Sequence, residues 1–155
     1  MRVSPPSSAA SRRVPRLWAF LVVGWIVATL ALATSWGASP RTRAWLTPRL
    51  VSLGLNPEAA AVTHRIVRKC GHALAYAAFA LLALAALRGR PRAPGQALSL
   101  ALGLAVLDES VQSVSVGRGG SPFDVLLDVA AAAVALALAG RRVRSAPAPP
   151  EPPAT

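Results

Sequence analysis

The run "LAVLDESVQSV", Leu104 to Val114, sets Asp108, Glu109 and Gln112 inside an otherwise apolar stretch. Two adjacent carboxylates and an amide can hold a proton, pair with a cation or ligate a metal, and none of them is at ease in hydrocarbon. Two other apolar runs open in a comparable way. Lys69, His72 and Tyr76 stand at the start of Cys70–Leu87, and Asp124 and Asp128 at the start of Phe123–Gly140. Arg118 lies beside Gly119 and Gly120 in the short stretch between the last two runs. A carboxylate near the centre of a membrane helix costs on the order of 2.5–3.5 kcal/mol, less towards the interface. These acids must therefore be protonated, paired or hydrated. Against four acids the fixed cations are Lys69 and Arg118, which leaves surplus negative charge. A protonated acid, a charged His72 or a bound cation would balance it.

Helical spacing groups these residues. At roughly 100° per residue, Lys69, His72 and Tyr76 fall within about 60° of one another, Asp108, Glu109 and Gln112 within about 100°, and Asp124 and Asp128 within about 40°. Each helix so formed carries one polar stripe at one end, and the three stripes can face a shared cavity. Plainer roles compete for each residue. Asp124 suits a helix N-terminus through the macrodipole, and Arg118 suits a lipid headgroup. Lys69 could snorkel to the interface, Tyr76 could pack, and His72 could serve as an interhelical hydrogen-bonding group. Asp108, Glu109 and Asp128 lie deeper and carry the expectation of a functional site, with a structural polar clasp between helices as its rival.

The elements that must position these groups are long apolar helices. The 155-residue chain is 54% hydrophobic, 5% aromatic and 15% charged, with apolar runs longer than a soluble domain of this size would show. Leu17–Trp36 holds about 20 residues without a charge, the length of a bilayer-spanning helix, and Trp18 and Trp36 stand near its ends. A cleaved signal peptide is the rival reading of this first run, since Ala31–Ala33 resembles a cleavage site, but the run is longer than a signal core. Further spans are expected at 70–87, 97–116 and 123–140. The sequence thus predicts an all-α fold: a four-transmembrane-helix bundle over residues 16–144, with short cytoplasmic termini and a longer first extracytoplasmic loop. Residues 1–15 and 145–155 are Pro-, Ala- and Ser-rich and are expected to be disordered tails. Residues 37–56 read as a loop with a short helical turn around Arg43 to Val51. Asn56, Pro57 and Glu58 then read as N-cap, first position and first-turn acid of a helix that runs on into the second span.

The formal charge of +11 comes from sixteen Arg and one Lys. These residues cluster at the ends of apolar runs and form no basic face on a polar domain, which argues against nucleic acid and for membrane topology. With the N-terminus inside, ten basic residues fall on the cytoplasmic side and seven outside, and the inner clusters sit closer to the span ends. The expected topology is a multi-pass protein of the bacterial plasma membrane with both termini cytoplasmic. The polar stripes would then lie at the outer ends of their helices. Cys70 is the single cysteine, so no intrachain disulfide can form.

Three stretches in order, "RKCGHALAY" (Arg68 to Tyr76), "DESVQ" (Asp108 to Gln112) and "GRGGSPFDVLLD" (Gly117 to Asp128), resemble the VanZ-like family of small membrane proteins, over roughly residues 17–140. The resemblance implies a site built from Lys69, His72, Tyr76, Asp108, Glu109, Gln112, Arg118, Asp124 and Asp128. One departure is the last helix, where the family often carries Asn after the Asp and this chain has Asp128. The named member is associated with low-level teicoplanin resistance, so the resemblance also implies a cell-envelope role, without supplying a reaction.

Three functions fit these residues. The first is a non-enzymatic membrane protein whose partners are membrane lipid and an envelope lipid-linked precursor or glycopeptide, bound or shielded at an outer-leaflet polar cavity. It requires no cofactor. The second is an enzyme acting on a lipid-linked substrate, with Asp108, Glu109 and Asp128 holding a divalent cation and His72 as base. The third is a proton- or ion-coupled carrier. The chain has no Gly-x-Ser-x-Gly and no His-Glu-x-x-His motif, which sets the enzyme behind the binding protein.

Overall fold

The computed structural model describes residues 8–34, 39–115 and 121–144. They form five helices in the order α1 (Ser8–Ala33), α2 (Ser39–Ser52), α3 (Pro57–Ala86), α4 (Ala93–Val114) and α5 (Pro122–Arg144). Four of them, through Arg16–Ala33, Pro57–Ala86, Ala93–Val114 and Pro122–Arg141, are long and apolar enough to cross a membrane. The described residues hold no strand. The all-α, four-span reading therefore stands.

Two stretches differ from the sequence reading. Residues 8–15 continue α1, where a tail was expected, while 1–7 and 145–155 lie outside the described residues. Residues 39–52 form a helix of 14 residues, where a single turn within a loop was expected. Pro40 falls in its first turn, where a missing N–H is tolerated, and Pro48 lies inside it. The segment is polar on average and carries Pro40 and Pro48, so no apolar run marks it as a helix.

The start of α3 follows local chemistry. Asn56 adopts an extended conformation (φ −66°, ψ 158°), and its side chain accepts a hydrogen bond from the Ala59 N–H at 2.8 Å. Pro57 sits in the first turn with Glu58 behind it. From there α3 runs for 30 residues, about 45 Å at 1.5 Å per residue. A hydrocarbon layer of about 30 Å cannot cover that length. Part of α3 must therefore lie outside it, and α2 packs against α3 near His64. The turn from α3 to α4 passes Gly89 at φ 80° and Arg92 at φ 60°. Gly89 adopts this left-handed backbone without steric penalty, whereas Arg92 bears one.

Helix α3 is central, packing most extensively on α5 and also touching α1, α2 and α4. Its buried face carries Tyr76, Phe79, Ala80 and Ala83, that of α4 carries Ala97, Ala101, Leu104 and Ala105, and α5 adds Ala132 and Leu136. Alanine at these seams lets the helix backbones approach closely, the form of packing available where lipid removes the hydrophobic drive for association. Large apolar side chains such as Phe20, Val27, Leu74, Leu107, Phe123 and Val134 point outwards. Asp108, Gln112 and Asp128, in contrast, are buried. Apolar groups outside and polar groups inside are what a bundle surrounded by lipid requires.

Candidate functional site

The apolar seams become polar at one end of the bundle without changing face. On α4 the buried positions run 93, 97, 101, 104, 105, 108 and 112, so Asp108 and Gln112 continue the stripe begun by Ala93. On α5, Asp128 lies one turn before Ala132, and on α3, His72 lies one turn before Tyr76. The i, i+4 spacing of a helix therefore carries the polar residues into the same interior that the alanines line.

His72, Tyr76, Asp108 and Asp128 meet at the centre of this end. The Tyr76 hydroxyl donates to Asp108 Oδ2 at 3.2 Å. His72 Nδ1 stands 3.6 Å from Asp128 Oδ2 and 3.9 Å from Asp108 Oδ2. Both carboxylates are 3% exposed and His72 is partly exposed. One ligand atom from each of His72, Asp108 and Asp128 can be chosen so that all three lie within 4.8 Å of one another. Asp128 Oδ1 and Gln112 Nε2 are buried without a hydrogen-bond partner among the described residues. Buried polar atoms are rarely left in that state.

Around this centre lie two further groups. Towards the end of the bundle, the carboxylate of Asp124 accepts a hydrogen bond from Lys69 Nζ and lies 3.8 Å from the Arg68 guanidinium. Glu109 faces elsewhere. It accepts a hydrogen bond from the Ser121 N–H and lines a separate surface cleft with Val106, Ser110 and Val125. Adjacent residues on a helix diverge by about 100°, so Asp108 and Glu109 serve different walls of α4. The structure thus joins His72, Tyr76, Asp108 and Asp128, places Gln112 beside them, pairs Lys69 with Asp124, and sets Glu109 apart. Arg118 lies outside the described residues.

Three participants escaped the sequence reading. Arg68 adds a second cation at Asp124, and its position four residues before His72 and eight before Tyr76 was the signal for it. The Ser121 N–H had none, because a backbone donor leaves no mark in a sequence. Helix α1, read only as an anchor, supplies Thr29, Leu32 and Ala33 to a cavity of about 330 Å³ whose other walls include Arg68, Gly71, His72, Tyr76, Asp108 and Gln112. His64 lies buried on α3 with Nε2 3.1 Å from Thr42 Oγ1 on α2.

A cavity of this kind, part cationic, part acidic and part apolar, lies in a stretch that one sequence family describes as a unit. The VanZ/LLP1 family model matches residues 17–142. The chain belongs to the VanZ/LLP1 family. That match takes in all four spans and every residue of the polar end of the VanZ bundle. No curated protein and no solved structure matches the chain.

Proposed function

We propose that this VanZ-family protein binds or shields an amphiphilic envelope molecule, a lipid-linked precursor or a lipid-bearing glycopeptide, with the polar head in the cavity between α1, α3 and α4. The observation that carries this reading is the make-up of the cavity wall. Arg68, His72, Tyr76, Asp108 and Gln112 offer charge and hydrogen bonds on one side, and Thr29, Leu32, Ala33 and Ala75 offer a largely apolar surface on the other. Leu32 is 61% exposed, so the apolar wall borders the outside of the bundle, where an acyl chain would lie. Gln112 Nε2 is a buried donor in search of an acceptor, and a phosphate or carbonyl oxygen of a headgroup supplies one. The positive-inside balance supports placing this end at the outer leaflet of a bacterial plasma membrane, with both termini cytoplasmic. The teicoplanin link of the family's named member fits the same reading, because teicoplanin bears an acyl chain as well as a polar core.

Filling the cavity tests this. A Cβ added at Gly71 meets nothing within 4 Å, so Gly71→Leu extends into the cavity without disturbing the alanine seams. Cells expressing the wild-type chain should tolerate more teicoplanin than cells with an empty vector, and Gly71→Leu should remove that tolerance at equal membrane abundance. In nanodiscs, the protein should bind teicoplanin or a polyprenyl phosphate more tightly than a glycopeptide core without its acyl chain. Equal binding of all three, or unchanged tolerance in Gly71→Leu, would remove the cavity from the function.

A further inference from the structure

We infer that His72, Asp108 and Asp128 form a binding site for one first-row divalent cation. The spacing of the three groups is the first ground. A closed polar clasp would bring imidazole and carboxylate to the roughly 2.7–2.9 Å of a charge-assisted hydrogen bond. Here His72 Nδ1 stands 3.6 and 3.9 Å from the two carboxylates, too far for that bond. Donors on a tetrahedral ion with bonds of about 2.1 Å lie about 3.4 Å apart, close to the two His72 distances, and one ligand atom from each of the three groups lies within 4.8 Å of the others.

The second ground is independent of the spacing. Asp128 Oδ1 is buried and has no hydrogen-bond partner among the described residues, and Gln112 Nε2, on the wall of the adjoining cavity, is in the same condition. An ion takes up a carboxylate lone pair at Asp128. A water or headgroup oxygen on the ion's open position gives Gln112 an acceptor.

Charge is the third. Asp124 has Lys69 and Arg68, and Glu109 has the Ser121 N–H. Among the described residues, the surplus of the polar end therefore falls on Asp108 and Asp128, which have His72 between them. Two buried carboxylates beside a neutral imidazole balance a divalent ion, leaving no net charge inside the bundle. Protonation of His72 alone would leave one negative charge there. The donor set also selects the ion: an imidazole nitrogen with two carboxylates suits zinc, manganese or iron(II), whereas magnesium and calcium favour oxygen throughout. Tyr76 completes the design by donating to Asp108, which fixes the orientation of a ligating carboxylate. Glu109, placed among the cation ligands from sequence, is absent from this set, and His72 becomes a ligand in place of a base. The inference rests on the cavity reading only for what the ion then binds, an oxygen of the headgroup.

The test uses the full chain in nanodiscs of zwitterionic lipid, stripped with EDTA and equilibrated with Zn2+, with metal per chain read by mass spectrometry. Co2+ serves as a second probe through its ligand-field absorption. One ion per chain is expected. His72→Ala, Asp108→Asn and Asp128→Asn should each weaken binding at least tenfold, Glu109→Gln should not, and Asp128→His, which returns a zinc donor, should recover most of the loss. Because Asn can still hydrogen-bond to His72 but ligates zinc poorly, the contrast between Asn and His at 128 separates a ligand from a clasp and stays informative if one variant folds badly. Absence of stoichiometric Zn2+ and Co2+ uptake by the wild-type chain would overturn the inference, as would equal uptake by Asp128→Asn and Asp128→His. Metal uptake without teicoplanin or polyprenyl phosphate binding would sink the cavity reading alone, and binding of those amphiphiles by a chain that takes up no metal would sink the metal site alone.

Discussion

Replacing Tyr76 by Phe isolates the hydroxyl that reaches Asp108. Tyr76 is 2% exposed and its ring packs with Phe79 and Ala80 in the core, so Phe fills the same space and the change reduces to one hydrogen bond of 3.2 Å. Two magnitudes bracket the effect. Hydrogen bonds to a charged group contribute about 1.5–3 kcal/mol, while interhelical hydrogen bonds in membrane proteins average about 0.6 kcal/mol and reach about 1.7. Asp108 is buried, and His72 stands 3.9 Å away, beyond hydrogen-bond range. An ionised Asp108 would therefore depend on Tyr76, which puts the expected loss near the top of the membrane range, roughly 1.5 kcal/mol or about tenfold in the unfolding equilibrium. Reversible unfolding in mixed micelles measures it, and a double-mutant cycle with Asp108→Asn assigns it. If the two changes are additive and Tyr76→Phe alone loses less than about 0.3 kcal/mol, the Tyr76–Asp108 bond is not a stabilising interaction, and the account of how Asp108 is held fails.

The alanine seam and the outer ion pairs give two further outcomes. Ala132→Leu inserts a branched side chain where Ala132 is fully buried; overpacking of this kind costs about 1–3 kcal/mol. Because Asp128 lies one turn away, the change should also weaken Zn2+ uptake, and unchanged stability and uptake would show that the helices do not need this close approach. Lys69→Met should lower stability by less than about 1 kcal/mol, since the Lys69 side chain is half exposed and Arg68 remains near Asp124. The double change Arg68→Gln with Lys69→Met should cost more than the sum of the single ones, read in the same micelle unfolding assay. Strict additivity would show that the two cations do not share the Asp124 carboxylate.

The parts of this molecule that were legible in the sequence are those governed by period and by length. Apolar runs of bilayer length gave the four spans, and Asn56–Pro57–Glu58 gave the start of α3, because capping is a local event between residues three apart. The i, i+4 steps from Asp128 to Ala132 and from His72 to Tyr76 let the polar stripes be placed at one end. What stayed hidden depends on how far a helix turns per residue and on which wall each group meets. Asp108 and Glu109 read as a pair because they are neighbours in the chain, yet a rotation of about 100° sends one into the bundle and the other to a backbone N–H at Ser121. The same rotation puts Arg68 with His72 and Tyr76 and makes it a partner of Asp124, a role its position in a run of basic residues had concealed. Helix α2 shows the complementary failure, since neither its pattern nor its prolines announce it, and the contact between Thr42 and the buried His64 that ties it to α3 spans two elements. The surplus of negative charge could be counted from the sequence, but the structure was needed to locate it. Once Asp124 is matched by two cations and Glu109 by a backbone donor, what remains among the described residues is a pair of buried carboxylates beside one imidazole. Among the described candidates, those three side chains are the ones the proposed ion would join.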